Sequence, residues 1–276
     1  MSAARIPIAL TIAGSDSSGG AGIQADLKTF SAFGVYGASA ITALTAQNTR
    51  GVTAVEPVAA SFVVAQIEAV LGDLEVGAIK TGMLANAEIV EAVARCLRAI
   101  PKPPPLVVDP VMVATSGDVL LAVDAIEAVK HQLIPLAGLI TPNLPEAARL
   151  LGATQAGDDA QAIDQARALL ALGCGAVLLK GGHGTGEAAV DILCDPAGIE
   201  RLVRPRIATP HTHGTGCTLS AAIAALLAQG IALREAVVRA KDFVWQALEA
   251  GQALGVGHGS GPVDHLFAIR RAPPPA

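Results

Sequence analysis

The stretch Thr212-His213-Gly214-Thr215-Gly216-Cys217 runs into an apolar segment with Leu219, Ile223, Leu226 and Leu227 at helical spacing. A glycine-rich turn therefore opens a helix. The first amides of a helix have no partner inside it, and its dipole is positive at that end, so such a turn can hold an anion. Cys217 falls in the first helical turn, where a thiol pKa is expected to drop and the sulfur can act as base or nucleophile. The alternative is a glycine turn capping a core helix, with Cys217 as a small hydrophobe.

Other chemistry-bearing residues fall where a parallel sheet would present them. Asp109 ends the apolar run Leu106–Val108. Asn143 and Glu146 stand three residues apart at the start of a short expected helix, a spacing that caps helices. Lys180 follows the expected strand Ala176–Leu179 and precedes Gly181 and Gly182; it can reach a phosphate or stand as a solvated edge residue. Two acids, a lysine and an anion-binding helix terminus together describe a phosphate-and-magnesium site. The chain has no Gly-x-x-x-x-Gly-Lys-Ser/Thr loop, so this is not the P-loop solution.

The loop from Gly14 to Gly22 lets backbone approach a ligand. Behind it, Asp26 lands on the apolar stripe of Ile23, Leu27, Phe30 and Phe33. A carboxylate there needs a partner, either the glycine loop or a polar substrate. Gln47 lies in the polar stretch Thr45–Thr49 and can both donate and accept, which suits the edge of a heterocycle; otherwise it is an exposed loop residue.

The elements that must carry these residues alternate along the chain. Strands are expected at 6–13, 36–44, 52–58, 76–80, 106–110, 138–141 and 176–179, with a hairpin at 190–194 and 201–207. Helices are expected at 23–33, from a Ser61 cap to Val70, at 87–100, 125–133 and 159–172, after Cys217, and at 233–250. The expected fold is α/β: a single-domain, doubly wound, mostly parallel sheet flanked by helices, over residues 1–276, with a frayed proline-rich tail at 272–276. In such a sheet, ligands bind at the C-terminal strand edge.

Composition agrees. Hydrophobic residues make up 52% and aromatics 3%, so Ala, Val, Leu and Ile must fill the core, as suits helices on a buried parallel sheet. The net charge of −5, with no basic cluster, argues against nucleic acid as the main partner. Cys96, Cys174, Cys194 and Cys217 show neither metal spacing nor a disulfide framework, which points to a reducing cytoplasm. No signal-peptide pattern precedes the first strand, and the longest apolar run, Leu219–Leu233, is broken by Gln229 and Gly230, so no membrane partner is expected.

The segments 13–29, 45–49, 80–84, 108–112, 141–147, 179–183 and 212–220 resemble the hydroxymethylpyrimidine/phosphomethylpyrimidine kinases of thiamin biosynthesis, members of the ribokinase-like superfamily. The resemblance runs from about Ile6 to Phe267. The last motif is the most specific, because most sugar kinases of the superfamily carry aspartate where this chain has Cys217.

The resemblance implies ATP-dependent phosphorylation of 4-amino-5-hydroxymethyl-2-methylpyrimidine and then of its monophosphate. It implies Cys217 as the catalytic residue, with Gly214, Thr215 and Gly216 forming an anion hole around the moving phosphoryl group. Lys180 would approach the nucleotide phosphates. Glu146, Asp109 and Asn143 would govern Mg2+, directly or through water. Gly14, Asp26, Gln47, Met83 and Val111 would surround the pyrimidine. A homodimer is implied on the same ground. The rival readings are a pyridoxal/pyridoxine kinase of the same branch, a sugar kinase, or a non-catalytic pyrimidine-binding regulator.

Overall fold

The computed structural model describes residues 5–112, 123–182 and 186–271. The expected tail at 272–276, His183 and most of the expected loop 111–117 lie outside the described residues.

Short apolar runs form one eight-stranded sheet. In chain order, β1 is Ile8–Ala13, β2 Tyr36–Ile41, β3 Ala43–Asn48, β4 Gly51–Pro57, β5 Ala78–Thr81, β6 Leu106–Val108, β7 Leu139–Ile140, β8 Val177–Leu179, β9 Ala188–Asp195 and β10 Gly198–Pro205. The sheet order is β10-β9-β8-β7-β6-β5-β1-β2, while β3 and β4 pair separately. All neighbours from β2 through β8 are parallel; β9 and β10 close one edge antiparallel.

The helices are α1 (Gly22–Ala32), α2 (Ala60–Leu71), α3 (Ala87–Arg98), α4 (Val123–Ala128), α5 (Leu144–Leu151), α6 (Asp159–Leu170), α7 (Thr215–Ala228), α8 (Leu233–Gly251) and α9 (Phe267–Arg271). The chain after α4 widens into a π turn at Val129–Leu133 and then tightens to a 3-10 turn at Ile134–Leu136.

The core strands are buried on both faces, and strict alternation divides their side chains. Ile79, Leu106, Val108, Ile140, Val177 and Leu179 pack with α2, α3, α5 and α6. Ala78, Val107, Leu139 and Leu178 pack with α7 and α8. Helix α7 is seated through alanine: Ala221, Ala222, Ala224 and Ala225 are fully buried.

Three expectations need correction. The segment Thr45–Thr49 is not a loop: most of it is β3, paired antiparallel with β4. Ser61 does not cap α2, which starts at Ala60 behind an N-cap at Ala59 with no side-chain bond. The expected strand 36–44 breaks at Thr42, whose hydroxyl donates to Met83 O at 2.7 Å; this fastening turns the chain out of the main sheet. The five-residue α9 was not anticipated.

Candidate active site

The C-terminal ends of β1, β5, β6, β7 and β8 and the N-terminus of α7 surround one cavity of about 700 Å³. Gly14, Gln47, Met83, Asp109, Val111, Asn143, Glu146, Lys180, Gly214, Thr215, Gly216 and Cys217 all line it. Residues distant in sequence meet because successive parallel strands end on one edge.

Gly214 caps α7 in the left-handed region, with φ 77°, and Gly214 through Cys217 line the cavity at the start of the helix, where Thr215 N donates within the turn to Thr212 O at 3.2 Å. This turn lies directly over an ion pair. Lys180 Nζ donates to Asp109 Oδ1 at 2.9 Å, and a methyl on Gly216 would sit 3.1 Å from Lys180 Nζ and 3.7 Å from Asp109 Oδ2. Thr141 and Ser220 also donate to the two Asp109 oxygens, at 3.1 and 3.2 Å. Burial works to raise the Asp109 carboxyl, but Lys180 and Lys80 outweigh it and hold it below the ordinary carboxylate range. Burial likewise works against the Lys180 ammonium, and Asp109 and Glu146 raise its pKa above the usual lysine value.

Asn143 and Glu146 form a complete capping box: Glu146 N donates to Asn143 Oδ1 and Asn143 N to Glu146 Oε2, both at 2.8 Å. Capping leaves the Glu146 carboxyl on the cavity wall. Burial pushes it up to about 7, against the pull of Lys180 and with help from Asp109.

Asp109 and Glu146 offer hard oxygen donors beside the α7 turn. Among the described residues no group of three or more His, Cys, Asp or Glu forms a cage for a metal. Magnesium needs none: it keeps several waters and is held by one or two carboxylates together with substrate phosphates. The donor set fits such an ion.

Cys217 corrects one expectation. Its thiol pKa is not lowered; burial pushes it up to about 11, against the pull of Lys80. The Gly22 amide at the start of α1 also favours the thiolate, while Asp26 and Asp109 oppose it. The helix terminus is real, but desolvation of a thiolate costs more than the terminus returns.

Asp26 corrects a second. It is fully buried and does not line the cavity. Thr11 donates to it at 2.6 Å and Lys80 at 2.8 and 3.0 Å. Neither partner weighed from sequence, loop or substrate, is the one found. Lys80, Asp16 and His213 stand inside the motifs singled out in sequence but have no role assigned there, yet all three line the cavity. A signal for Lys80 existed: a lysine in a buried apolar strand and an aspartate on an apolar helical stripe each need an opposite charge.

At the glycine-loop end, Gly14 N donates to Met83 O at 3.0 Å, which fixes that loop against the chain after β5. Gln47 is tied to the same loop: its backbone N donates to Ser17 Oγ at 2.8 Å, and Ser17 Oγ donates back to Gln47 O at 2.7 Å. The other end has an apolar wall of Pro205, Ile207, Val244, Trp245 and Leu248, with Arg204, Arg206 and Lys241 also lining the cavity.

Residues 16–264 match the phosphomethylpyrimidine kinase family. A hydroxymethylpyrimidine/phosphomethylpyrimidine kinase of Rhizobium meliloti is 57% identical over 259 residues, covering 94% of this chain and 97% of that protein. The chain belongs to this kinase family. Among solved structures, phosphomethylpyrimidine kinase of Clostridium difficile superposes with a TM-score of 0.78 at 46% identity, over 88% of this chain and 99% of that one. An ADP complex of Bacillus subtilis pyridoxal kinase superposes with a TM-score of 0.89 at 40% identity, over 97% of this chain and all of that one. Kinases named for two different acceptors therefore share this scaffold.

Proposed function

We infer that this chain phosphorylates 4-amino-5-hydroxymethyl-2-methylpyrimidine with ATP, and then phosphorylates the monophosphate to the diphosphate, in thiamin biosynthesis. The observation that carries the reading is the convergence of the α7 turn, the Asp109–Lys180 pair and Glu146 on one cavity, in a chain of this family.

The acceptor lies at the Gly14, Gln47, Met83 and Val111 end. The Gln47 amide pairs with a ring nitrogen and an exocyclic amine together. Asp26 acts from behind through Lys80. The adenine takes the apolar end beside Trp245, and Lys180 meets the nucleotide phosphates. The amides of Gly214, Thr215, Gly216 and Cys217 take up charge on the moving phosphoryl group. Asp109 and Glu146, with Asn143 at the helix start, would hold Mg2+, which when bound neutralises phosphate charge.

In a loose transition state the acceptor hydroxyl keeps its proton until late. The Cys217 sulfur receives that proton only as the thiolate, its own proton having first passed to solvent, and Lys80 is the cation that favours the thiolate. We further propose a cytoplasmic homodimer of one domain per chain, without nucleic-acid or membrane partners.

ADP release with Mg-ATP, compared across the hydroxymethylpyrimidine, pyridoxal, ribose and no acceptor, tests the reading. Two ADP per pyrimidine support it. A preference for pyridoxal, which the likeness to the Bacillus subtilis enzyme makes the second reading, would reassign the acceptor. Silence with every acceptor would favour a binding regulator.

A further inference from the structure

Two glycine loops, from opposite ends of the chain, face each other beside Cys217. Asp16 is almost fully buried in the first of them. Its Oδ1 accepts from Ser18 N at 2.8 Å and Ser18 Oγ at 2.7 Å, and its Oδ2 from Gly20 N at 3.0 Å and Ala21 N at 2.8 Å. These bonds shape the loop itself. One more crosses the molecule: His213 Nε2 lies 2.8 Å from Asp16 Oδ2, between residues 197 apart in sequence. An ionised carboxylate only accepts, so the imidazole Nε2 carries the proton.

Each residue is tied to the start of a helix. Asp16 N donates to Gln24 Oε1, in the first turn of α1, at 2.8 Å. His213 precedes Gly214, the N-cap of α7. The loops interlock at this bond. A methyl on Gly20 would sit 2.4 Å from His213 Cδ2, and one on Gly214 would sit 1.8 Å from Gly20 O. His213 N is in turn anchored to Gly261 O at 3.1 Å.

The geometry points to Asp16 and His213 as positioning residues for phosphoryl transfer, whose hydrogen bond sets the spacing between the acceptor-side loop 14–22 and the phosphoryl-side turn 212–217. This role rests on the kinase reading above. In-line transfer needs the attacking oxygen and the phosphoryl group at a fixed separation, and the two are held by different segments that this bond joins.

The test compares His213→Ala, His213→Gln and Asp16→Asn with the parent, by steady-state kinetics, melting temperature and amide hydrogen exchange. The expected kcat loss for His213→Ala and Asp16→Asn is about ten-fold or more, with the KM for ATP within about two-fold, because spacing and not nucleotide binding is disturbed. His213→Gln, whose amide nitrogen can still donate, should recover kcat to within about three-fold of the parent. Exchange should rise across the bond: at Gly20 and Ala21 in His213→Ala, and at Thr215 through Cys217 in Asp16→Asn. A kcat within about two-fold of the parent in Asp16→Asn, or exchange that rises only in the mutated segment, overturns the inference. Should His213→Ala fail to fold, Asp16→Asn and His213→Gln decide by the same thresholds. Should the parent turn over no acceptor, the kinase reading fails, and the exchange arm still decides whether the two loops are coupled.

Discussion

Lys80 and Asp26 form an ion pair with both side chains fully shielded from solvent, Nζ standing 2.8 Å from Oδ2 and 3.0 Å from Oδ1. Thr11 supplies a further donor to the same carboxylate. Removing one partner strands a buried charge, so Lys80→Met or Asp26→Leu should each cost about 3–5 kcal/mol in urea unfolding. The double variant should regain much of that loss, since a packed apolar pair can replace a buried ionic one. It should not regain turnover, because Lys80 also lines the cavity beside Cys217. Recovery of both together would make the pair purely a core feature.

Two buried groups tie stability to pH with opposite signs. His265 accepts little water, lies 2.9 Å from Thr218 Oγ1, and has its pKa lowered to about 4 by burial and then by Lys28. The unfolded chain takes up a proton below about pH 6.5 that the fold refuses, so this stability is lost as pH falls toward 4, by about 3 kcal/mol in all. Glu146 is raised to about 7 by burial, so its contribution is present in acid and is lost as pH rises through neutrality. Urea midpoints between pH 5 and 7.5 check both. Relative to the parent, His265→Gln should gain stability on acidification and Glu146→Gln should lose it.

The thiol of Cys217 should be slow to alkylate at neutral pH and should quicken only toward its pKa of about 11. Mass spectrometry of iodoacetamide-treated protein across pH 7–11 reads this directly. If the sulfur takes the late proton, Cys217→Ala should lower kcat by about 100-fold or more, with the KM for ATP little changed. Near-normal turnover would leave catalysis to the α7 amides and the charged groups around them.

Trp245, the one tryptophan of the chain, lines the apolar end of the cavity and donates from Nε1 to Pro205 O at 2.9 Å. Its fluorescence should change on titration with ATP and stay constant with the pyrimidine alone. A change with the pyrimidine alone would reverse the two ends of the cavity.

Much of this architecture is legible in sequence, for definite reasons. Parallel strands buried on both faces read as short apolar runs, and polar residues at their ends announce the ligand edge; Asp109, Asn143, Glu146 and Lys180 were all found that way. The capping box of Asn143 and Glu146 follows from a local spacing. What sequence hid was pairing at a distance. The partner of Asp26 is 54 residues away, and that of Asp16 is 197 away. The thiol pKa of Cys217 was read with the wrong sign because a helix start is visible in sequence while the protein packed around the sulfur is not.

The alanines of α7 carry a consequence for how this enzyme family can vary. Ala225 is fully buried and lies eight residues beyond Cys217, roughly 12 Å along the helix axis. With side chains this small, the helix has no slack against the sheet, and one added methylene has nowhere to go but into a shift of the whole rod. The turn proposed to hold the phosphoryl group rides on that rod's end. Its aim is therefore calibrated by the thickness of side chains that never meet a substrate, and neutral drift in this part of the core is drift in the chemistry.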